Sequence, residues 1–185
     1  ILLCYEMEYI SRLIASTLVL LVDIKLVTDG ILLLINPSWS WWQAKKTFYA
    51  RHAPKLALVV ALTSVAGSLF FSEIIGWPPC ELCWWQRIFM YSAATVLGYS
   101  LLNQEGSIGL RYAAVLSAPG VLLSSYHVVL HQFERLVPEV TCGAGEISCS
   151  LSYFVSYGYI TIPTMALTGF LAILALYWVS GREIS

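Results

Sequence analysis

Four of the five cysteines fall into two pairs, and the first pair has the spacing of redox chemistry. Cys80 and Cys83 form a Cys-x-x-Cys motif, and Cys142 and Cys149 follow with six residues between them. A disulfide closing so short a loop as 80–83 removes little chain entropy, so as a staple it stabilises weakly. The same spacing suits thiol exchange, in which the thiolate is the working species. Two structural staples are the competing reading. A zinc site built from two cysteine pairs is a third, but the second pair is loosely spaced and its surroundings offer few extra ligands, so no metal is expected. Cys4 has no evident partner.

The neighbours of the first pair sharpen the redox reading. Pro78 and Pro79 precede Cys80, and an apolar helix begins close by. Cys83 then sits near a helix N-terminus, where the macrodipole favours a thiolate. Arg87 is four residues on and shares the helical face of Cys83. There it could hold an anion or polarise a carbonyl, or simply snorkel to the headgroups. His127 lies near the end of a later apolar run, at the level of Arg87. An ionisable group inside a membrane is a functional candidate, and its plainer alternative is a hydrogen-bonded packing histidine. Arg87 and His127 are expected to approach one cavity below the Cys-x-x-Cys. Pro119 and Pro163 read as helix kinks, and Gly67, Gly98, Gly120 and Gly169 as sites of close helix packing.

The elements that must position these residues are membrane helices. The chain has 185 residues, 58% hydrophobic and 11% charged, against about 45–50% and about 25% in soluble domains. That excludes an ordinary soluble globule, and it excludes disorder, which needs few aromatics and high charge. The net charge is −1 with no basic block, so no nucleic-acid partner is expected. A membrane-crossing helix needs roughly 20 mostly apolar residues. Residues 56–75, 84–102, 112–130 and 159–179 each qualify, which predicts an all-α membrane protein with a four-transmembrane-helix bundle over 51–185. Residues 1–50 form an N-terminal extension. Its apolar stretch 13–35 is interrupted by Asp23, Lys25 and Asp29, where an Asp–Lys pair could offset part of the insertion cost. A fifth span, an interfacial helix and a poorly ordered extension all remain open for it. A cleaved signal peptide is not expected, since the start lacks a basic region and no small-residue cleavage site follows.

Orientation follows the basic residues. Lys45, Lys46, Arg51, Lys55, Arg111 and Arg182 fall on one side, and only Arg87 and Arg135 on the other. The first side is therefore cytoplasmic, and loops 76–83 and 131–158 face outward. That assignment uses no cysteine, yet it puts all four paired cysteines on the oxidising side, where exposed thiols become disulfides. Trp39, Trp41, Trp42, Trp77, Trp84 and Trp85 suit interfacial belts.

The stretch from Pro79 to Tyr91, PCELCWWQRIFMY, resembles the DsbB family of disulfide-bond formation proteins, and within it the short BdbC-like branch. The resemblance covers residues 55–182 and includes Ser125-Tyr126-His127 and Thr161-Ile162-Pro163. It implies a bacterial cytoplasmic-membrane enzyme with four helices in contact with membrane lipid. Its loop disulfide Cys142–Cys149 would reoxidise a soluble, thioredoxin-like (DsbA-like) partner. Electrons would pass to Cys80–Cys83 and then to a membrane quinone, either ubiquinone or menaquinone. By position, Cys142 looks like the sulfur attacked by the partner, Cys80 the one that exchanges with the second loop, and Cys83 the quinone-facing thiolate. Arg87 looks like the quinone-contacting cation, with His127 as a second cofactor-binding candidate. Enzymes of the vitamin K epoxide reductase type also combine four helices, a Cys-x-x-Cys and a loop pair, but there the loop pair comes first. A non-enzymatic membrane protein with structural disulfides is the remaining alternative.

Overall fold

The computed structural model describes residues 2–35, 40–132, 149 and 152–181, and its regular elements are all helical. Helix α1 runs Leu2–Ile35, α2 Ser40–Leu69, α3 Glu81–Leu102, α4 Gly106–Gln132 and α5 Ile162–Gly181. Helix α2 continues into a π-helical turn, Phe70–Ile74. Three helices are long and apolar enough to cross a membrane: Thr47–Ile74, Gly106–Gln132 and Ile162–Gly181. Helix α3 has the length, but Glu81, Gln86 and Arg87 crowd its first two turns and lower its apolarity.

Small residues set the packing. Ala53, Ala57 and Ala61 recur every four residues on α2 and are fully buried against Met90, Ala93 and Leu97 of α3, Leu110 and Ala113 of α4, and Phe170 and Ile173 of α5. Such a stripe lets helix backbones approach closely, so dispersion contacts replace the hydrophobic drive that lipid cannot supply. Gly120 of α4 serves the same end: a Cβ there would meet the Phe170 ring at 2.5 Å. Pro119 and Pro163 lie in α4 and in the first turn of α5. A proline at a helix start costs no hydrogen bond, so Pro163 fits its place there.

Helix α1 is one continuous helix, Leu2–Ile35, packed against α5. An Asp–Lys pair does form within it. Lys25 bonds Asp29 at 3.3 Å, one turn on. Asp23 instead accepts hydrogen bonds from Thr168 Oγ1 at 2.6 Å and from the Tyr159 hydroxyl at 3.0 Å. Position 50, where the sequence suggests a boundary, lies inside α2.

The chain ends up with one chemically rich pole. The end of α2, the start of α3, the end of α4 and the start of α5 meet there. Trp77 stacks between Phe71 and Tyr153, with ring centroids 5.2 and 5.0 Å apart. The Tyr153 hydroxyl donates to the Pro78 carbonyl at 2.7 Å. This clamp ties the segment entering the Cys-x-x-Cys to the segment leaving the second loop. A tight turn at 156–160 follows, closed by the Ser156–Ile160 bridge with Gly158 at φ +81°.

Candidate redox site at the head of the third helix

Cys80 is the N-cap of α3, in extended backbone conformation, and Cys83 lies in the first turn. The geometry brings their sulfurs to 3.2 Å, with the Cys80 thiol donating to Cys83. A disulfide needs about 2.05 Å, so only a small rotation is needed to bring the sulfurs to bonding distance when an acceptor takes their two electrons. The Cys80 thiol is pushed up to about 12, first by its hydrogen bond to Cys83 and then by burial. At neutral pH Cys80 therefore holds its proton and offers it to Cys83, which lets the latter bear the developing negative charge.

His127 joins this pair. Its Nε2 lies 3.8 Å from Cys80 Sγ and 2.9 Å from the Cys149 carbonyl oxygen, and its Nδ1 lies 3.2 Å from Gln86 Nε2. Gln86, His127, Cys80 and Cys149 are all buried. His131, one turn further along α4, also donates through Nε2 to the Cys149 carbonyl, at 3.1 Å. The end of the second loop is thus held against the first cysteine pair by two imidazoles. Cys149 also lies within electrostatic reach of Cys83.

Arg87 takes a different direction. Its Nε donates to Ser68 Oγ at 2.8 Å and its Nη2 to the Ser68 carbonyl at 3.0 Å, while its guanidinium lies 5.3 Å from the Trp84 ring. Ser68 precedes the π turn, where the helical hydrogen-bond ladder shifts from four-residue to five-residue spacing. Arg87 is therefore anchored to α2 rather than free at the headgroups. Consecutive helical positions point about 100° apart, so Gln86 faces α4 while Arg87 faces α2. Cys142 lies outside the described residues, as does most of the loop carrying it.

A cleft of about 530 Å³ opens between α3 and α4. Trp85, Phe89, Pro119, Leu122 and Tyr126 wall it, and Glu81 and Cys149 stand at its polar end. The sulfurs of Cys80 and Cys83 and a ring nitrogen of His127 also lie within 4.8 Å of one another. Two sulfurs and one imidazole form a donor set for a thiophilic cation. Binding one would occupy both thiols and block their oxidation.

Sequence reasoning did not single out Gln86, His131 or Ser68. Gln86 carried one signal, a buried-type position for an amide in an otherwise apolar helix. His131 carried another, its four-residue spacing from His127.

A dithiol at the head of a helix in an apolar bundle, met by a second loop cysteine, defines a membrane thiol–disulfide oxidoreductase. Comparison with known proteins agrees. A family model described as Disulfide bond formation protein DsbB matches residues 50–180. The chain is 34% identical over 139 residues to a probable disulfide formation protein of Oceanobacillus iheyensis, covering 75% of this chain and 95% of that one. It is 38% identical over 120 residues to disulfide bond formation protein C of Bacillus subtilis, covering 63% and 83%. A probable disulfide formation protein C 2 of Bacillus anthracis is 31% identical over 72% of this chain and 94% of its own length. No solved structure matches the chain. The chain belongs to the DsbB family of disulfide bond formation proteins.

Proposed function

We propose that the protein is a quinone-dependent membrane thiol:disulfide oxidoreductase that reoxidises an extracytoplasmic, thioredoxin-like dithiol oxidase of the DsbA-like kind. It would act in the bacterial cytoplasmic membrane, with α3 as a fourth span beside the three more apolar helices and both cysteine loops outward. The observation that carries this reading is the meeting of Cys80, Cys83, His127 and Cys149, all but Cys83 buried, in a chain whose relatives are disulfide formation proteins. A structural staple needs no such convergence of two loops on a donor-rich pocket.

In this reading a partner thiolate attacks Cys142, Cys149 leaves, and Cys149 exchanges with Cys80, so that Cys83 emerges as the inner thiolate. Each step is an in-line thiolate attack through a mixed disulfide. The residues present fit a quinone. Arg87, held by Ser68 on the α2 side one turn beyond Cys83, would meet the ring, while the α3–α4 cleft, which Arg87 does not line, offers apolar walls for a prenyl tail. When bound, a quinone supplies a sink for two electrons and two protons.

Solvent extraction of the purified chain tests the proposal. Ubiquinone or menaquinone is expected in the extract at near-equimolar amount, and added quinone should accelerate dithiothreitol oxidation. An extract without quinone, together with dithiol oxidation indifferent to added quinone, would overturn it.

A further inference from the structure

His127 is hydrogen-bonded at both ring nitrogens, and the two bonds agree on one proton position. A carbonyl oxygen only accepts, so the contact from Nε2 to the Cys149 carbonyl at 2.9 Å requires a proton on Nε2. The Nδ1 of the neutral ring is then an acceptor, and it faces the Gln86 amide nitrogen at 3.2 Å. Gln86 reaches it from α3 and His127 belongs to α4, so the bond also fixes the ring against the helix that carries the Cys-x-x-Cys. The Nε2–H edge is left pointing at two groups from different loops, the Cys149 carbonyl and Cys80 Sγ.

We propose that Gln86 and His127 form a tautomer-locked bridge that docks Cys149 onto Cys80 for the sulfur exchange between the two loops. This rests on the thiol-exchange reading above and adds to it the residues that set the geometry of the internal step. In that step Cys149, released as a thiolate when Cys142 is attacked, attacks Cys80 Sγ in the Cys80–Cys83 disulfide. The Cys149–Cys80 bond forms, the Cys80–Cys83 bond breaks, and the electron pair leaves on Cys83 as its thiolate. His127 keeps its proton throughout. Its Nε2–H anchors the Cys149 backbone beside Cys80 Sγ, and by that placement selects Cys80 over Cys83 as the sulfur attacked. His131 adds a second anchor on the same carbonyl at 3.1 Å. His127 touches a reacting sulfur, while Gln86 is a positioning residue that acts through it.

The test uses the full chain in detergent with Cys142→Ser, which leaves Cys149 as the loop thiol. After brief oxidation with diamide and removal of the oxidant, acid quenching and peptide mapping follow the Cys149–Cys80 linkage over time. His127→Ala should slow its appearance at least roughly ten-fold, because misplacing reacting groups by an ångström is that costly. His127→Gln, whose amide N–H reaches near the Nε2 position, should recover most of the rate. Gln86→Leu should fall between, since the ring is then free to exchange tautomers. A bridge that merely fills space would not be restored by His127→Gln. If His127→Ala or Gln86→Leu links at the unaltered rate, or if a folded His127→Gln is no faster than His127→Ala, the proposal fails. Should His127→Ala not fold, Gln86→Leu decides alone. Neither quinone nor partner enters the measurement, so its failure is separate from a failure of the extract to contain quinone.

Discussion

At the scale of single residues, the site divides labour between two adjacent positions. Gln86 faces α4 and meets His127, whereas Arg87 faces α2 and is held by Ser68. A guanidinium held by a planar pair of bonds cannot be mimicked by an ammonium. Arg87→Ala should therefore raise the apparent KM for quinone about ten-fold or more, the effect of one lost charge-assisted hydrogen bond, with a far smaller change for the thiol substrate. Arg87→Lys should recover part of it. An unchanged quinone dependence, measured by steady-state quinone reduction, would leave Arg87 as a brace for the π turn alone. Cys80 gives a second test. Its thiol is pushed up to about 12, so below that pH it is protonated and unreactive. In the reduced chain its alkylation by iodoacetamide should rise about ten-fold per pH unit from about pH 7 to about pH 10 without a plateau. A plateau in that window would mean that Cys83 is not accepting its proton. The cysteine motif, Arg87 and His127 were legible from residue type and spacing alone. Their partners were not, because a helical wheel gives the direction of a side chain but not which neighbouring helix lies there.

At the scale of elements, packing rests on small residues where helices touch; the sequence offered this as glycines only, and the Ala53, Ala57 and Ala61 stripe came from the structure. Gly120 and Gly67 make the contrast. A Cβ at Gly120 would press on the buried Phe170 ring, while nothing lies within 4 Å of one at Gly67. Gly120→Ala should cost about 1–3 kcal/mol, as overpacking does, and lower the thermal unfolding midpoint in detergent. Gly67→Ala should be neutral or stabilising by up to about 1 kcal/mol, the helix-propensity gain. Equal midpoints for the two variants would refute the close α4–α5 contact. The π turn and the aromatic clamp around Trp77 were not legible. Both arise from the meeting of segments far apart in the chain, Phe71 with Trp77 and Trp77 with Tyr153, which no local periodicity encodes. The pairing of Asp23 with Thr168 and Tyr159 escaped the sequence for the same reason, whereas the intrahelical Lys25–Asp29 pair lay within its reach.

At the scale of the whole molecule, the basic bias predicts that Cys80, Cys83, Cys142 and Cys149 lie on one membrane face, with Lys45, Lys46 and Arg111 on the other. In intact, reduced cells an impermeant maleimide should label the cysteines that solvent reaches, while cysteines introduced at Lys46 or Arg111 should react only after lysis. The reverse pattern would invert the topology. Within that frame the proposed relay has the two loops acting in series: a partner in solution would meet the outer pair, and the inner pair at the head of α3 would meet the membrane. The most direct test of this account is an anaerobic stoichiometric assay with the purified chain, a reduced thioredoxin-like dithiol protein and a short-chain quinone. The unaltered chain should form one quinol for each dithiol oxidised, over many turnovers. Cys83→Ser should form none, yet still oxidise partner once through its outer disulfide. Sustained quinone reduction by Cys83→Ser, or partner oxidation undiminished when Cys142 and Cys149 are both serine, would contradict the relay.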